Sequence, residues 1–374
     1  VTNIVDGTET VLPSLLTLAN HSIASTFTGD GNIGGTLDKE GSGMVTLATS
    51  NAPALNSITN NQGTLILSPQ VDSTLATVIA DNGSGQGQLV KAGTNILTLG
   101  GDNSSYNGMV EVTDGILRYT AIIALGSGIL SSTNSGTLDV NNIALGTKGI
   151  IISGTGYNNQ GALADLNNTW VWPYNWAQNI TMSGDATIGC ASRFDIINGD
   201  TFNGNDFKLT KTGGSQFVFN DCGETYIGDI DVAVGELTFQ QSATMGDANK
   251  SAIVESNAML DFWAGSATFV KSNITLINAT LGSGGSANTL DAKITLMPGT
   301  NYISTSVDFY LDGPVVGTGG FIKQGGGTLW LAGANTYSGP TTIGQNSTVS
   351  VESGSSLGSS SPIEIDGGST LDVS

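Results

Sequence analysis

The chain has 374 residues, 53 of them glycine and only 11% charged, with 31 acidic residues against 11 basic ones and a formal net charge of −20. That balance repels a phosphate backbone, and Arg118 and Arg193 alone offer a planar fork for phosphate or base contacts, so nucleic acid is excluded as a partner. No apolar run approaches the roughly 18 residues of a membrane span and no long segment repeats its apolar residues every 3.6 positions, which excludes a spanning helix and a helical fold.

Residues 1–36 depart from the pattern that follows. With apolar Ile4, Val5, Val11, Leu12, Leu15, Leu16 and Leu18 they read as an N-terminal cap or donated segment leading into a solenoid. The single histidine, His21, falls here and reads as a surface or cap residue rather than a catalyst. An opening at Val1, without initiator Met or signal peptide, is expected of a processed chain or a fragment.

Residues 37–374 read as one continuous solenoid carrying cassettes at 37–67 (partial), 89–140, 209–262 and 321–373. Each cassette starts with Lys, has Gly two positions later, and continues with an alternating apolar pair. The copies are Lys39, Gly41, Val45, Leu47; Lys91, Gly93, Leu97, Leu99; Lys211, Gly213, Phe217, Phe219; and Lys323, Gly325, Leu329, Leu331. A Tyr-x-Gly turn follows at Tyr106, Tyr226 and Tyr337, preceded in the first and last of these by Gly-x-Asn at Gly101 to Asn103 and Gly333 to Asn335. Next come a Gly-x-Leu step, as at Gly115 and Leu117 or Gly235 and Leu237, and an apolar pair around Asp139, Asp261 or Asp372.

The spacing carries the geometry. Leu97, Leu117 and Leu138 are 20 and 21 residues apart, Phe217, Leu237 and Leu260 are 20 and 23, and Leu329, Val349 and Leu371 are 20 and 22. Stacked in register, coils of that length place these side chains in inward ladders about 4.8 Å apart. Alternation then turns Thr98 and Trp330 outward. The reading is an all-β, single-stranded right-handed parallel β-helix with about 20–23 residues per coil. The recurring lysines read as structural, pairing with nearby acids or covering apolar surface with their stems.

Between cassettes, a Trp-rich insertion near 167–178 places Trp170, Trp172, Tyr174 and Trp176 in seven residues, either as a plug over a widened coil or as a contact patch for sugar rings or protein. Cys190 and Cys222 permit one disulfide, whose geometry the sequence does not give.

The order Lys-x-Gly, Gly-x-Asn, Tyr-x-Gly, Gly-x-Leu and Leu-Asp-Val resembles the autotransporter-associated β-strand repeat of bacterial passenger domains. Thr210 to Gly213, Ala334 to Gly339 and Gly367 to Val373 are especially similar, and the likeness covers most of residues 30–373. The resemblance implies a right-handed β-helix displayed or released outside a bacterial cell, serving adhesion, aggregation or as a stalk. No membrane β-barrel follows, because the sequence stops inside a repeat at Ser374; the expectation is a passenger cut from its barrel, or one that never had it.

Candidate chemistry is thin. Asp139, Asp261 and Asp372 recur at one repeat position, as turn or ladder residues do, and the nonapeptide calcium repeat is missing. The expectation is therefore an extracellular or surface adhesive rod with no catalysis, no cofactor beyond occasional calcium at turns, and host or cell-surface glycans or proteins as partners. A self-assembling filament with end-to-end strand pairing is the alternative, and a polysaccharide-active enzyme the third reading.

Overall fold

The computed structural model describes residues 2–4, 10–11, 14–50, 52–169, 177–197, 199–358 and 362–373. Short strands alternate with Gly-, Asn- and Asp-rich corners and pair in parallel, forming a β-solenoid with coils of about 21 residues. It divides into two compact units, Val1–Gly189 and Cys190–Ser374.

In the first unit one ladder runs through Val45, Leu65, Leu89, Val110, Leu130 and Ile150, each on the next in register. Ile150 then pairs with Ile180, the longest step in this ladder. A second ladder stacks Leu97 on Leu117, Leu138 and Leu163. All of these side chains are buried, because each faces the column. The strand system reaches further back than the boundary drawn at residue 36: Ser25–Gly29 pairs with Met44–Thr49, and Leu15–Leu18 with Asn32–Lys39. Its apolar alternation is too short there to stand out from a cap in sequence.

In the second unit Leu209, Ile230, Ala252, Ile274, Ile294 and Val315 form one inward ladder. Phe194, Phe217, Leu237, Leu260, Leu281 and Ile303 form another. Phe309, Leu329, Val349 and Leu371 form a third. Aromatic rings thicken this core, with Phe219 stacked on Phe239 at 5.2 Å and edge-on to Phe202 at 4.9 Å. Thr98 and Trp330 lie on the outer face, where Trp330 stacks on Tyr310 at 5.6 Å.

The Gly-x-Leu step needs its glycine. Gly115 has φ +65°, and a Cβ there would overlap the Gly93 carbonyl oxygen of the coil below. Gly115→Ala is expected to lower stability by about 2 kcal/mol, since left-handed strain and a backbone clash coincide. Urea denaturation checks this, and a loss no larger than at an exposed Ser-to-Ala site would overturn it.

Candidate functional site

The recurring lysines occupy inward ladder positions, which hydrophobic patterning alone would reserve for apolar residues. Lys91 lies between Leu67 and Val112, and Lys323 between Ile303 and Ile343. Their ammonium groups rise to the corner and donate to backbone carbonyls. Lys91 Nζ donates to Ala92 O at 2.9 Å, Gly93 O at 2.6 Å and Asp114 O at 3.0 Å. The equivalent bonds of Lys211 reach Thr212 O at 2.9 Å, Gly213 O at 2.8 Å and Val234 O at 2.9 Å. Lys323 donates to Gln324 O and Gly325 O, and Lys39 to Gly41 O and Gln62 O. Each ammonium thus ties its own corner, and in three of the four cassettes also the corner one coil on. Burial pushes Lys91 and Lys323 down to about 8, and Lys211 and Lys39 in the same direction. Of the two expectations for these lysines, the buried stems match the covering of apolar surface, while among the described residues the ammonium groups bond no acid. Carbonyls take the place of acids because the corner turns its own C=O groups inward, where they need donors.

The asparagines of Gly-x-Asn act alike. Asn103 accepts the Ile79 N–H at 2.6 Å and donates to Ala124 O at 2.6 Å, while Asn335 accepts the Val315 N–H at 2.8 Å and donates to Ser356 O at 2.7 Å. Beside each, the turn tyrosine is buried. The Tyr106 hydroxyl donates to Gly87 O at 2.8 Å and accepts from Asn60 Nδ2 at 3.2 Å, and Tyr337 shares a 2.6 Å bond with Thr341 Oγ1. Burial raises both phenols above their ordinary range.

Tyr226 breaks this pattern. It is 58% exposed, against 1% for Tyr106 and 0% for Tyr337, and it holds a left-handed φ of +50° that a bulky residue rarely adopts. Its neighbour Ile227 is buried instead, and Lys271, arriving from a later coil, donates to Gly228 O at 2.7 Å and Asp247 O at 2.8 Å. The displaced ring stands in a concavity of about 630 Å³ lined by Asn203, Asn205, Asp206, Glu224, Gly246 and Asp247. That volume is in the range of small-molecule sites. Backbone bonds hold three stacked turns beneath it: Asp206 N–H donates to Tyr226 O at 2.9 Å, Gly204 N–H to Thr225 O at 2.8 Å, and Asp247 N–H to Ile227 O at 2.9 Å. The Asn249 backbone N–H keeps the Asp247 carboxyl below its usual range, and Lys250 Nζ lies 3.2 Å from Asp206 Oδ2. Among the described residues, no three His, Cys, Asp or Glu side chains come close enough to hold a metal ion.

Residues 89–118 and 321–345 match the Passenger-associated-transport-repeat family. The chain carries passenger repeats. Over 273 residues, 72% of its length, it is also 28% identical to the Adhesin BmaC autotransporter of Brucella suis biovar 1 (strain 1330). The match spans 7% of that adhesin's length. No solved structure matches the chain. Passenger repeats and an autotransporter relative make this an exported chain, at the cell surface or beyond it. No helix among the described residues is long and apolar enough to cross a membrane.

Both matched passenger repeats contain a buried tyrosine, at 106 and 337, whereas the cassette with Tyr226 lies outside them. The sequence carried one sign of this difference: the Tyr226 cassette lacks the Gly-x-Asn, and Thr225, bonded through Oγ1 to Thr244 O at 2.9 Å, occupies the corner instead.

The other candidates fare differently. Trp170, Trp172, Tyr174 and Trp176 lie outside the described residues. Cys190 and Cys222 are not joined by a disulfide. Cys190 O accepts the Ser215 N–H, while Cys222 follows the far end of Gln216–Asn220, a strand about 16 Å long. That separation exceeds the reach of a disulfide. Burial pushes the Cys222 thiol up to about 12, which suppresses thiolate chemistry. His21 is exposed.

Proposed function

We propose that the chain is an adhesive, non-catalytic segment of an exported bacterial surface protein, needing no resident cofactor and presenting its outer face to glycans or proteins. The observation that carries this is the division of labour among its polar residues. Recurring Lys and Asn side chains are consumed in holding corner backbone groups, so they serve the scaffold rather than chemistry. A concavity among the described residues, with an outward aromatic ring over a rigid backbone floor, faces the solvent. Rigid display of a surface site on a repeat scaffold is an adhesive arrangement, and likeness to a protein named as an adhesin supports it.

Beads coated with the purified chain are expected to adhere to cultured epithelial cells or their matrix well above beads coated with an unrelated acidic solenoid. Equal adhesion would overturn the reading. Turnover of polysaccharides detected by mass spectrometry would replace it with an enzymatic one, and fibres lengthening with concentration under electron microscopy would replace it with self-assembly.

A further inference from the structure

The strongest unassigned feature of the second unit is the Tyr226 concavity, and what it can hold follows from its chemistry. Two other cassettes show that this fold buries the turn tyrosine and satisfies its hydroxyl inside. Here Lys271 takes over the internal bonding of the turn, and the ring is placed outside in a backbone conformation that costs free energy. The carbonyls of residues 225–227 are all bonded to neighbouring turns, so the ring is mounted on a fixed platform rather than a loose loop. Around it stand two amides, Asn203 and Asn205, and three carboxylates, Asp206, Glu224 and Asp247.

This set divides possible ligands. A metal ion is disfavoured, because the carboxylates do not converge on one point. Phosphate, sulfate and sialic acid meet three carboxylates against the ammonium groups of Lys250 and the buried Lys271, a rim that keeps a net negative charge. A purely apolar ligand would leave the polar rim unpaired. A pyranose ring fits each part: its C–H face packs on an exposed aromatic ring, while its hydroxyls donate to carboxylates and amide oxygens around the edge. We propose that Tyr226 is the stacking platform of a carbohydrate subsite for an uncharged pyranose, with Asp206, Glu224, Asp247, Asn203 and Asn205 as hydroxyl acceptors. This deepens the adhesive reading and rests on it, by assigning the glycan class and the residues that meet it.

Saturation-transfer NMR and calorimetry with three probes test the assignment: cellotriose, a sialylated lactose of similar size, and tri-lysine. The parent chain is expected to bind cellotriose and to ignore sialyl-lactose. Tyr226→Ala should weaken cellotriose binding by about tenfold or more with an unchanged melting temperature, and Tyr226→Trp should restore it. No cellotriose binding by the parent, or equal binding by Tyr226→Ala, overturns the subsite. Tri-lysine binding that displaces cellotriose or replaces it also overturns it, and makes the groove a site for basic peptide. Bead adhesion run in parallel separates the two levels: adhesion that survives Tyr226→Ala sinks the subsite alone, while a parent chain that does not adhere sinks the adhesive reading.

Discussion

Lys211→Met is expected to destabilise the chain by about 3 kcal/mol, although methionine matches the lysine stem in bulk and apolarity. The loss comes from three carbonyls. Thr212 O, Gly213 O and Val234 O all accept from Lys211 Nζ, and with a thioether below them they face a dry corner with no donor. Removing a buried charge often relieves a desolvation cost, and burial does press on this ammonium. Its partners here are neutral C=O groups that stay behind after the substitution, so the unpaired acceptors decide the sign. Two coils should loosen together, because the ammonium bonds its own corner and the next. Amide exchange is therefore expected to accelerate at Thr212 to Ser215 and at Val234 to Glu236, and less so at the far coils. Lys208→Met is the control, since Lys208 sits 3.7 Å from Asp231 with its side chain 45% exposed. If urea unfolding shows no larger loss for Lys211→Met than for that control, the clamp has no energetic content.

Asp261→Asn is expected to make the protein more stable above pH 7 by about 3 kcal/mol and to leave it nearly unchanged at pH 4. Burial, together with the nearby Glu236 carboxylate, raises Asp261 from 3.8 to about 7. The sign follows from linkage. Between those two values the folded state holds a proton that the unfolded state has released, so this group's contribution is full below pH 3.8 and is lost as pH rises through 7. Asparagine removes the titration and with it the loss. Other buried carboxyls, Asp195 among them, add slopes of the same sign, so the difference between parent and variant is the quantity to measure. Unfolding free energies of the two chains at pH 4, 5, 6, 7 and 8 supply it, and a difference that does not grow with pH would refute the assignment.

Strand register gives Asp139 and Asp261 different neighbours. Arg118 stands opposite Asp139 in the strand register and bonds it at 2.7 Å, and the same aspartate accepts the N–H groups of Asn141 and Leu166. Thr238 stands opposite Asp261 and supplies no charge. On the other side Gly282 faces Asp261, and a Cβ there would overlap both Oδ1 and the Met259 methyl, so the carboxyl lies folded under neighbours rather than in water. A recurring Leu-Asp-Φ triplet thus hides two electrostatic situations, and the residue one coil away separates them.

Much of this architecture was legible from the order of residues. Spacings of 20 to 23 between apolar residues were enough to set Leu97 on Leu117 and Leu138, Phe217 on Leu237 and Leu260, and Leu329 on Val349 and Leu371. A one-residue slip would expose every one of them, so strand alternation and coil length together leave a single register. The Gly-x-Leu steps were equally readable, since only glycine accepts left-handed backbone against a neighbouring carbonyl. What the tertiary structure decided is where polar atoms go once the coils have stacked. Lys211 meets Val234, Asn335 meets Ser356, and Lys271 meets Gly228 across 23, 21 and 43 residues of chain. A periodic pattern tells which face a side chain takes, but the partner of an ammonium or a phenol depends on which carbonyl the next coil leaves open. That is why three turns sharing Tyr-x-Gly, only two of them preceded by Gly-x-Asn, bury two tyrosines and present the third, Tyr226, to the outside.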